Sequence, residues 1–466
     1  MKDWRFGGAK LGACSSARRR VKGMEDKFEV CSSSRFNESI SDYAVPFGAD
    51  VNARSEALSA WVDGEGQAFQ FFRCHEGPVA TRCRVTTYAG TTFEGNNFAS
   101  QDYLGLCQDD RIRQAAIEAI ATFGTHSAGS EPMGGGMRIG KLLEQELSNY
   151  TRFPNLVLFP TGWAAGYGAL KALVRPGDHI VMDGLAHDCL QQGARAGTPN
   201  ISFFAHNNVA NAAKRIARAR AASPSAAVFV VTESLFSMDS DAPDFKRLIE
   251  ACREHGAYLV VDVAHDLGAV GPRGLGALED DSVLSGIDCI VGSFSKTYAS
   301  IGGFVGTRTR GTELYVRGFS GTYTFSNYLM PSQIAAVREA LRIIRDPEGD
   351  LLRAKAINNA IVLRQALANK GVQVYGTPSP MVITRIGDER KARGVYLACL
   401  RNGLILNCIE YPACRRGEAR LRLQVSPRHT HQQLIRAAEI IAAAIAGHDS
   451  TTSEVVSPAS GANVTA

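Results

Sequence analysis

The chain has 466 residues, of which 45% are hydrophobic, and a formal net charge of +5. A chain of this size buries a large core and is expected to form more than one domain. The mild charge, without a long basic run, argues against nucleic acid as a partner. The 11 cysteines show no Cys-x-x-Cys pair and no Cys/His metal spacing, so we expect reduced thiols, no metal site and a cytoplasmic location.

The first 90 residues have mixed composition and weak periodicity, and we interpret them as an N-terminal extension of uncertain structure. The start of the chain lacks the apolar centre of a secretory signal, and no apolar run reaches membrane-spanning length. Asp109 and Asp110 then precede apolar residues at helical spacing over 112–120. This pattern predicts a helix that the two acids cap.

Alternating strand and helix patterns over about 155–310 predict a mostly parallel sheet covered by helices. The apolar run 157–159 leads into Thr161 and Gly162, a strand–turn–helix start whose backbone N–H groups suit an anion such as a phosphate. The run 179–182 leads to His187, which is placed to stack on an aromatic ring. A lone histidine is more often structural, so this interpretation depends on the neighbouring segments.

Two further strands end in polar residues. The run 227–231 is followed by Ser237, which is placed to hydrogen-bond the phenolic oxygen of a cofactor. The run 257–261 stops on Asp262, so its carboxylate is expected at the carboxyl edge of the sheet. Pyridoxal phosphate (PLP) needs such an acid to keep its ring nitrogen protonated, although an aspartate that caps the next helix is the ordinary alternative.

A lysine follows the next strand. The run 289–291 leads to Ser293, Ser295 and Lys296, at the mouth of the predicted sheet. The hydroxyl groups suit a phosphate and the lysine suits a Schiff base to PLP, whereas a solvated surface lysine is the alternative for this segment taken alone. Asp262 favours the Schiff-base interpretation, because it lies one strand–helix–strand unit upstream and reaches the same crevice.

The sequence pattern divides the chain into a large domain, a small domain and a tail. A helix around 332–337 is expected to link a large PLP-binding domain, residues 91–335, to a small C-terminal domain, residues 336–448. A further helix is expected over 432–439. The tail, residues 449–466, is rich in Ser, Thr, Ala and Gly without aromatic residues, so we expect it to be disordered.

In this order, the segments resemble the α-oxoamine synthases, a group of PLP-dependent enzymes that includes 8-amino-7-oxononanoate synthase and serine palmitoyltransferase. The resemblance runs from about Asn96 to about Ile445. It implies an α/β fold, the fold-type I PLP-dependent transferase, with a mostly parallel central sheet in the large domain and a smaller α+β C-terminal domain. It also implies an acyltransferase that condenses a small amino acid with an acyl thioester, releases CO₂ and gives an α-amino ketone.

The resemblance leaves the substrates partly open. It favours serine or alanine, with glycine possible, and an acyl group of medium or long chain carried by CoA or by an acyl carrier protein. The strand ends and the resemblance together give the candidate cofactor-binding residues: Gly162, Trp163, His187, Ser237, Asp262, His265, Ser293, Lys296 and Ser326.

The resemblance also implies individual roles. Lys296 matches the Schiff-base lysine and Asp262 the partner of the pyridinium nitrogen. His265 matches the histidine near the cofactor O3′, and His187 the one stacked on the ring. Arg420 matches the arginine that holds the amino-acid carboxylate. These matches imply that Lys296, His187, Asp262 and His265 carry the catalysis.

Ser326 lies in a segment that resembles the one lent to the phosphate site of the neighbouring subunit. The resemblance therefore implies a homodimer with shared active sites, in which Tyr328 is bulkier than the serine usual at its position.

Several residues depart from the usual pattern. Gln101, a candidate for binding the substrate carboxylate, stands where an asparagine is usual. Val263 replaces an acid and Asp266 a serine beside the pyridinium aspartate. Glu131 replaces a residue that is often basic, and Gly140 replaces a histidine, in the glycine-rich region that shapes the acyl entrance.

Two other interpretations stay open from the sequence. One is another fold-type I PLP enzyme, an aldolase or an aminotransferase, which would not release CO₂ in a thioester-dependent manner. The other is a catalytically silent, regulatory subunit of such a synthase. The intact Lys296 argues against the silent subunit.

Overall fold

The computed structural model of this chain describes the backbone of residues 39–44 and 50–454, and the side chains of residues 39–43, 50–53 and 55–448. Residues 1–38 of the predicted N-terminal extension and residues 455–466 of the predicted tail lie outside this part. The last helix continues past His448 to Glu454, so a stretch of the predicted tail has helical backbone.

The strands are β1 (Cys74–His75), β2 (Arg82–Thr86), β3 (Thr92–Asn97), β4 (Asn155–Phe159), β5 (His179–Asp183), β6 (Ile201–Phe204), β7 (Val228–Glu233), β8 (Tyr258–Asp262), β9 (Cys289–Ser293), β10 (Gly303–Thr307), β11 (Val374–Tyr375), β12 (Met381–Gly387), β13 (Leu404–Ile405), β14 (Asn407–Ile409) and β15 (Ala419–Gln424).

The helices are α1 (Val51–Glu65), α2 (Asp110–Phe123), α3 (Arg138–Thr151), α4 (Gly162–Leu173), α5 (Asp188–Gly197), α6 (Val209–Ala222), α7 (Phe245–Glu254), α8 (Asp281–Leu284), α9 (Arg310–Phe319), α10 (Gly321–Thr324), α11 (Pro331–Arg345), α12 (Pro347–Ala368), α13 (Glu389–Arg401) and α14 (His431–Glu454). Short 3-10 helices cover Ile40–Ala44, Gly66–Ala68, Glu131–Met133 and Gly276–Glu279.

A seven-stranded sheet in the order β4-β10-β9-β8-β7-β5-β6 forms the centre of the large domain. Neighbouring strands from β9 to β6 pair in parallel, whereas β10 runs antiparallel to both β9 and β4. All five apolar runs predicted as strands lie in this sheet, in β4, β5, β7, β8 and β9. Because these strands run in the same direction, the polar residues that follow them meet at one edge.

Helices cover both faces of this sheet, which explains why its strands are apolar without alternation. Val181 and Val261 point into a core that α2, α3 and α11 close from one side. Val231 and Val260 point into a core on the other face, against α4 and α5. Successive residues of a strand thus pack into the cores on opposite faces of the sheet.

The second domain is built around β11-β12-β15-β14, with α12, α13 and α14 packed on it. A second small sheet, β1-β2-β3-β13, joins the same core, since Val85 and Phe98 pack with Leu404. The division at residue 90 stays a prediction. The pairing of β2 with β3 and of β3 with β13 nevertheless ties residues on both sides of that point to the second core.

Helix ends follow the sequence signals closely. Asp109 caps α2, as predicted, by accepting the N–H of Arg111 at 3.0 Å. Thr161 caps α4 by accepting the N–H of Ala164 at 3.0 Å, which fixes the N-terminus of α4 beside the end of β4. Within the described residues, no helix has the length and apolar character that crossing a bilayer requires.

Candidate active site

A cavity of about 370 Å³ lies where the strands of the central sheet end. Most of the predicted site residues line it: Gln101, Gly162, Trp163, His187, Ser237, Asp262, His265, Ser293 and Lys296. The lining also includes Glu233 and Arg422, which sequence reasoning did not select. Ser326 and Arg420 are the two predicted residues that this wall does not contain.

One end of the cavity is suited to an anion. Gly162 begins α4, and a Cβ on this glycine would lie 2.5 Å from the Ser293 hydroxyl oxygen. The Oγ atoms of Ser293 and Ser295 lie 2.7 Å apart, and both residues line the cavity. Free N–H groups at a helix N-terminus and two hydroxyl groups together form a phosphate cradle that a larger residue than glycine would fill.

Two carboxyl groups stand at the ends of adjacent strands. Glu233 ends β7 and Asp262 ends β8, and the two residues are directly paired in the parallel register. Asp262 accepts the N–H of Ala264 at 2.8 Å, and Glu233 accepts the N–H of His187 at 2.7 Å. Burial and the nearby Asp262 carboxyl raise the pKa of Glu233 well above its usual range.

Two histidines reach the cavity from different loops. His187 caps α5, and its Nδ1 lies 3.0 Å from the Cys189 sulfur. The Nδ1 of His265 lies 2.8 Å from the hydroxyl oxygen of the buried Tyr103. Burial, with the cations Lys296 and Arg422 adding to it, lowers the pKa of His265 well below its usual range. His265 is therefore a neutral imidazole whose tautomer is coupled to the Tyr103 hydroxyl.

Lys296 projects from the turn that follows β9. Burial lowers the pKa of its ammonium group, whereas the carboxyl groups of Asp262 and Glu233 act in the opposite direction. A desolvated lysine loses its proton more readily than an exposed one, so Lys296 has the environment of a nucleophile and base.

The two arginines of β15 have different surroundings. Arg420 bonds the Met238 carbonyl at 3.0 Å and forms ion pairs with Asp239 and Glu418. Arg422 lines the cavity and donates to the Ser237 carbonyl at 3.3 Å. Arg422 therefore reaches the cavity, whereas Arg420 is engaged in ion pairs outside its wall.

His206 ties the loop that carries Ser237 to the central sheet, and sequence reasoning missed it. Its Nδ1 lies 2.9 Å from Asp183 at the end of β5, and its Nε2 lies 3.1 Å from Asp241. The two acids raise the pKa of His206 to about 10. Its only sequence signal was its position just beyond β6, at the same edge of the sheet.

A departure in the glycine-rich region and one in the segment around Ser326 compensate for each other. A Cβ on Gly140 would overlap the Tyr328 hydroxyl, so the absent side chain at one position makes room for the large one at the other. Glu131 is likewise accommodated, since it pairs with Lys141 and lies 2.8 Å from Arg317. The region thus keeps its packing with a different set of side chains.

These residues fit PLP on their own chemistry. The cradle at Gly162 suits the phosphate, and Asp262 is an acid that suits a protonated ring nitrogen. Lys296 is the amine that a Schiff base requires, and it lies in the same cavity.

Comparison with known proteins agrees with this fit. The aminotransferase class I and II family matches residues 94–441. The 8-amino-7-oxononanoate synthase of Lysinibacillus sphaericus is 30% identical over 72% of this chain and 85% of its own length. The serine palmitoyltransferase of Caulobacter vibrioides is 33% identical over 72% of this chain and 82% of its own length.

Among solved structures, the serine palmitoyltransferase of S. paucimobilis with a bound PLP–myriocin aldimine superposes with a TM-score of 0.80. That structure is 26% identical in sequence and covers 86% of this chain and 100% of its own. The serine palmitoyltransferase of Sphingomonas wittichii gives a TM-score of 0.79 at 25% identity, over 86% of this chain and 100% of its own. The chain therefore belongs to the α-oxoamine synthases, the PLP-dependent C-acyltransferases that carry out decarboxylative condensations on the fold-type I scaffold.

Proposed function

We propose that this protein condenses serine or alanine, with glycine as a further substrate, with a medium- or long-chain acyl thioester of CoA or of an acyl carrier protein. The observation that carries the proposal is the single cavity in which Lys296, Asp262, His187 and Arg422 meet. In the reaction, a carbon–carbon bond forms between the amino-acid Cα and the acyl carbon, and the thiol and CO₂ leave. The product is an α-amino ketone.

The cofactor supplies the electron sink, since PLP when bound withdraws electrons from the Cα of the amino acid attached to it. Asp262 holds the proton on the ring nitrogen, which preserves that electron demand. Lys296 would accept the Cα proton of the substrate at its Nζ. The lowered pKa of Lys296 favours this step, because a neutral amine is the active form of the base.

Arg422 is proposed to hold the substrate carboxylate, in place of Arg420. A bidentate arginine–carboxylate contact fixes direction as well as distance. The arginine that holds this carboxylate would also orient the bond between Cα and the carboxylate, which breaks when CO₂ leaves. Gln101 lines the same cavity and is proposed to contact the amino acid.

Serine is the favoured amino acid because the two solved structures described above are serine palmitoyltransferases. The curated relatives include 8-amino-7-oxononanoate synthases at similar identity, so the proposal is not limited to serine and keeps alanine, which the sequence motifs also favour.

The test is to titrate the purified PLP-loaded protein with serine, alanine and glycine and to follow the absorbance of the bound cofactor. The amino acid that shifts the spectrum is then supplied with acyl-CoA thioesters of increasing chain length, and CO₂ release is measured. We expect serine or alanine to shift the spectrum and CO₂ release to require the thioester.

A Lys296→Ala variant serves as the control for this experiment. It is expected to bind some PLP and to lose turnover, because the Nζ that forms the Schiff base and accepts the proton is absent. Normal turnover in this variant, or product formation without thioester-dependent CO₂ release, would contradict the proposal.

A further inference from the structure

Glu233 is a buried acid in the cavity to which the mechanism above gives no role. It is only 4% exposed, and it lines the same wall as Asp262 and Lys296. Among the side chains that the structure describes, no lysine or arginine forms an ion pair with it, although the charge of Lys296 acts against the upward shift of its pKa. A buried carboxylate without a cationic partner is costly, so its environment favours the neutral acid.

The sheet register brings this acid close to a second one. Glu233 and Asp262 are opposite each other on the parallel strands β7 and β8, so their side chains leave the same face at neighbouring positions. Two carboxyl groups in such a position do not both ionise readily, and one of them retains a proton. Glu233 is the more deeply buried of the two, so it is the one expected to retain the proton.

Glu233 also forms a hydrogen bond that supports a histidine of the site. One Glu233 oxygen accepts the N–H of His187, the residue that caps α5 and faces the cavity. A neutral carboxyl group accepts this N–H through its carbonyl oxygen and keeps its O–H free to donate. The titratable groups around Glu233 come from every element beside it: Asp183, His187, Cys189, Asp262 and Lys296.

We propose that Glu233 is a positioning residue that carries a proton, holds the backbone of His187 in place and leaves Asp262 as the single anion for the ring nitrogen of the cofactor. This inference rests on the proposed function for its meaning, because it assigns the charge of the cofactor site. The protonation state of Glu233, however, is a property of the protein chain itself. It is therefore measurable without cofactor or substrate.

The first test is infrared spectroscopy of the cofactor-free protein at neutral pH. The difference spectrum between the wild type and Glu233→Gln is expected to show the carbonyl band of one protonated carboxylic acid. In an Asp262→Asn background this band should disappear at a lower pH, because removing the neighbouring anion lowers the pKa of Glu233. Asp266→Asn, which removes another buried acid, is the matched control and should leave the Glu233 band unchanged.

The second test uses the loaded protein and separates charge from hydrogen bonding. Glu233→Gln keeps a neutral acceptor for the His187 N–H, so its PLP affinity and the circular dichroism of the bound cofactor should stay within about threefold of the wild type. Glu233→Leu removes that acceptor and should weaken PLP binding by roughly tenfold.

Carboxylate bands in place of the acid band would overturn the proposal, and so would a Glu233→Gln variant that loses the cofactor signal. If Glu233→Leu does not fold, the glutamine variant and the infrared bands still decide the matter. Failure of the condensation assay would leave the infrared result intact, so the two proposals fail separately.

Discussion

Arg420 and Arg422 lie two residues apart on the same face of β15, yet they meet different partners. Since β15 advances about 3.3 Å per residue, the two guanidinium groups start about 7 Å apart along the strand. Arg420 reaches Asp239 and Glu418, whereas Arg422 reaches the cavity wall. Burial lowers the pKa of Arg422, although not far enough to discharge an arginine.

This difference predicts opposite effects of two matched substitutions. Arg422→Met should raise the KM for the amino acid roughly 10- to 100-fold, since a hydrogen bond to a charged group contributes about 1.5–3 kcal/mol. Arg420→Met should leave KM within a few-fold and lower stability instead, because it leaves Asp239 without its partner. The measurement is steady-state kinetics with urea unfolding of both variants. An increased KM in Arg420→Met alone would instead assign the binding of the substrate carboxylate to Arg420.

The same pair shows what sequence reasoning can and cannot supply at the residue scale. A resemblance identifies a strand with two arginines, but choosing between them requires the position of β15 relative to the central sheet. Glu233 was missed for a related reason. It ends an apolar run as Asp262 does, and only the register of β7 against β8 shows that the two acids are opposite.

At the scale of elements, the N-terminus of α4 depends on a close approach of two backbones. A Cβ on Gly162 would lie 2.5 Å from Ser293 Oγ and 3.1 Å from Ser293 Cα, at the end of β9. The Gly162 backbone and the Ser293 hydroxyl therefore share one small volume, which is where the phosphate of PLP is expected.

Gly162→Ala is accordingly expected to weaken PLP binding by roughly 5- to 150-fold, since an extra methyl group in a packed site costs about 1–3 kcal/mol. Gly177→Ala is the matched control, because a Cβ there meets no atom within 4 Å. The measurement is cofactor affinity by absorbance titration of the cofactor-free protein. Equal affinities in the two variants would show that the phosphate lies elsewhere.

The turn after β8 contains a second buried acid, Asp266. It accepts hydrogen bonds from the Ser234 hydroxyl at 2.6 Å and from the Ala277 N–H at 2.8 Å. Burial raises its pKa to about 7. The folded chain therefore binds a proton that the unfolded chain has released over most of the range between pH 4 and pH 7.

This shift predicts how stability changes with pH. The stability from Asp266 is fully present below its unfolded pKa and is lost as pH rises through 7, because ionisation then favours the unfolded chain. Asp266→Asn removes this titration. From pH 5 to pH 8, the unfolding free energy of the wild type should fall by roughly 2–3 kcal/mol relative to the variant. Urea unfolding at both pH values measures it, and parallel changes in the two proteins would contradict the assignment.

The elements themselves were largely predictable. Apolar runs of strand length, each followed by small or polar residues, predicted β4, β5, β7, β8 and β9. The antiparallel β10 was not predicted, because its sequence, rich in glycine, carries little strand preference and only its pairing with β4 and β9 defines it. The small sheet β1-β2-β3-β13 was also missed: β1 and β13 have only two residues each, and β13 pairs with β3 from the other end of the chain.

At the scale of the whole molecule, Ser326 lies outside the active-site cavity of its own chain. Beside it, Phe325 is 93% exposed. Phe319 and Met330 are also exposed nearby. Apolar side chains that are exposed together favour an interface, and we propose that this segment completes the phosphate site of a second copy of the chain.

Complementation between defective chains tests this homodimer. Lys296→Ala removes the Schiff-base lysine, and Ser326→Glu is expected to place a negative charge against the phosphate. When the two chains are refolded together at equal concentration, each heterodimer should contain one site with neither change and one site with both. Activity of about a quarter of the wild type is then expected, because about half of the dimers are mixed and each has one intact site.

The control is a mixture of Lys296→Ala with Asp262→Asn chains. Both of these residues line the cavity of the same chain, so every site in the mixed dimers carries one defect and no rescue should appear. Rescue in the first mixture and not in the second requires Ser326 to act on the site of the other chain. An active monomer, or two mixtures of equally low activity, would instead mean that each chain builds its site alone, and the exposed Phe325 would need a different partner.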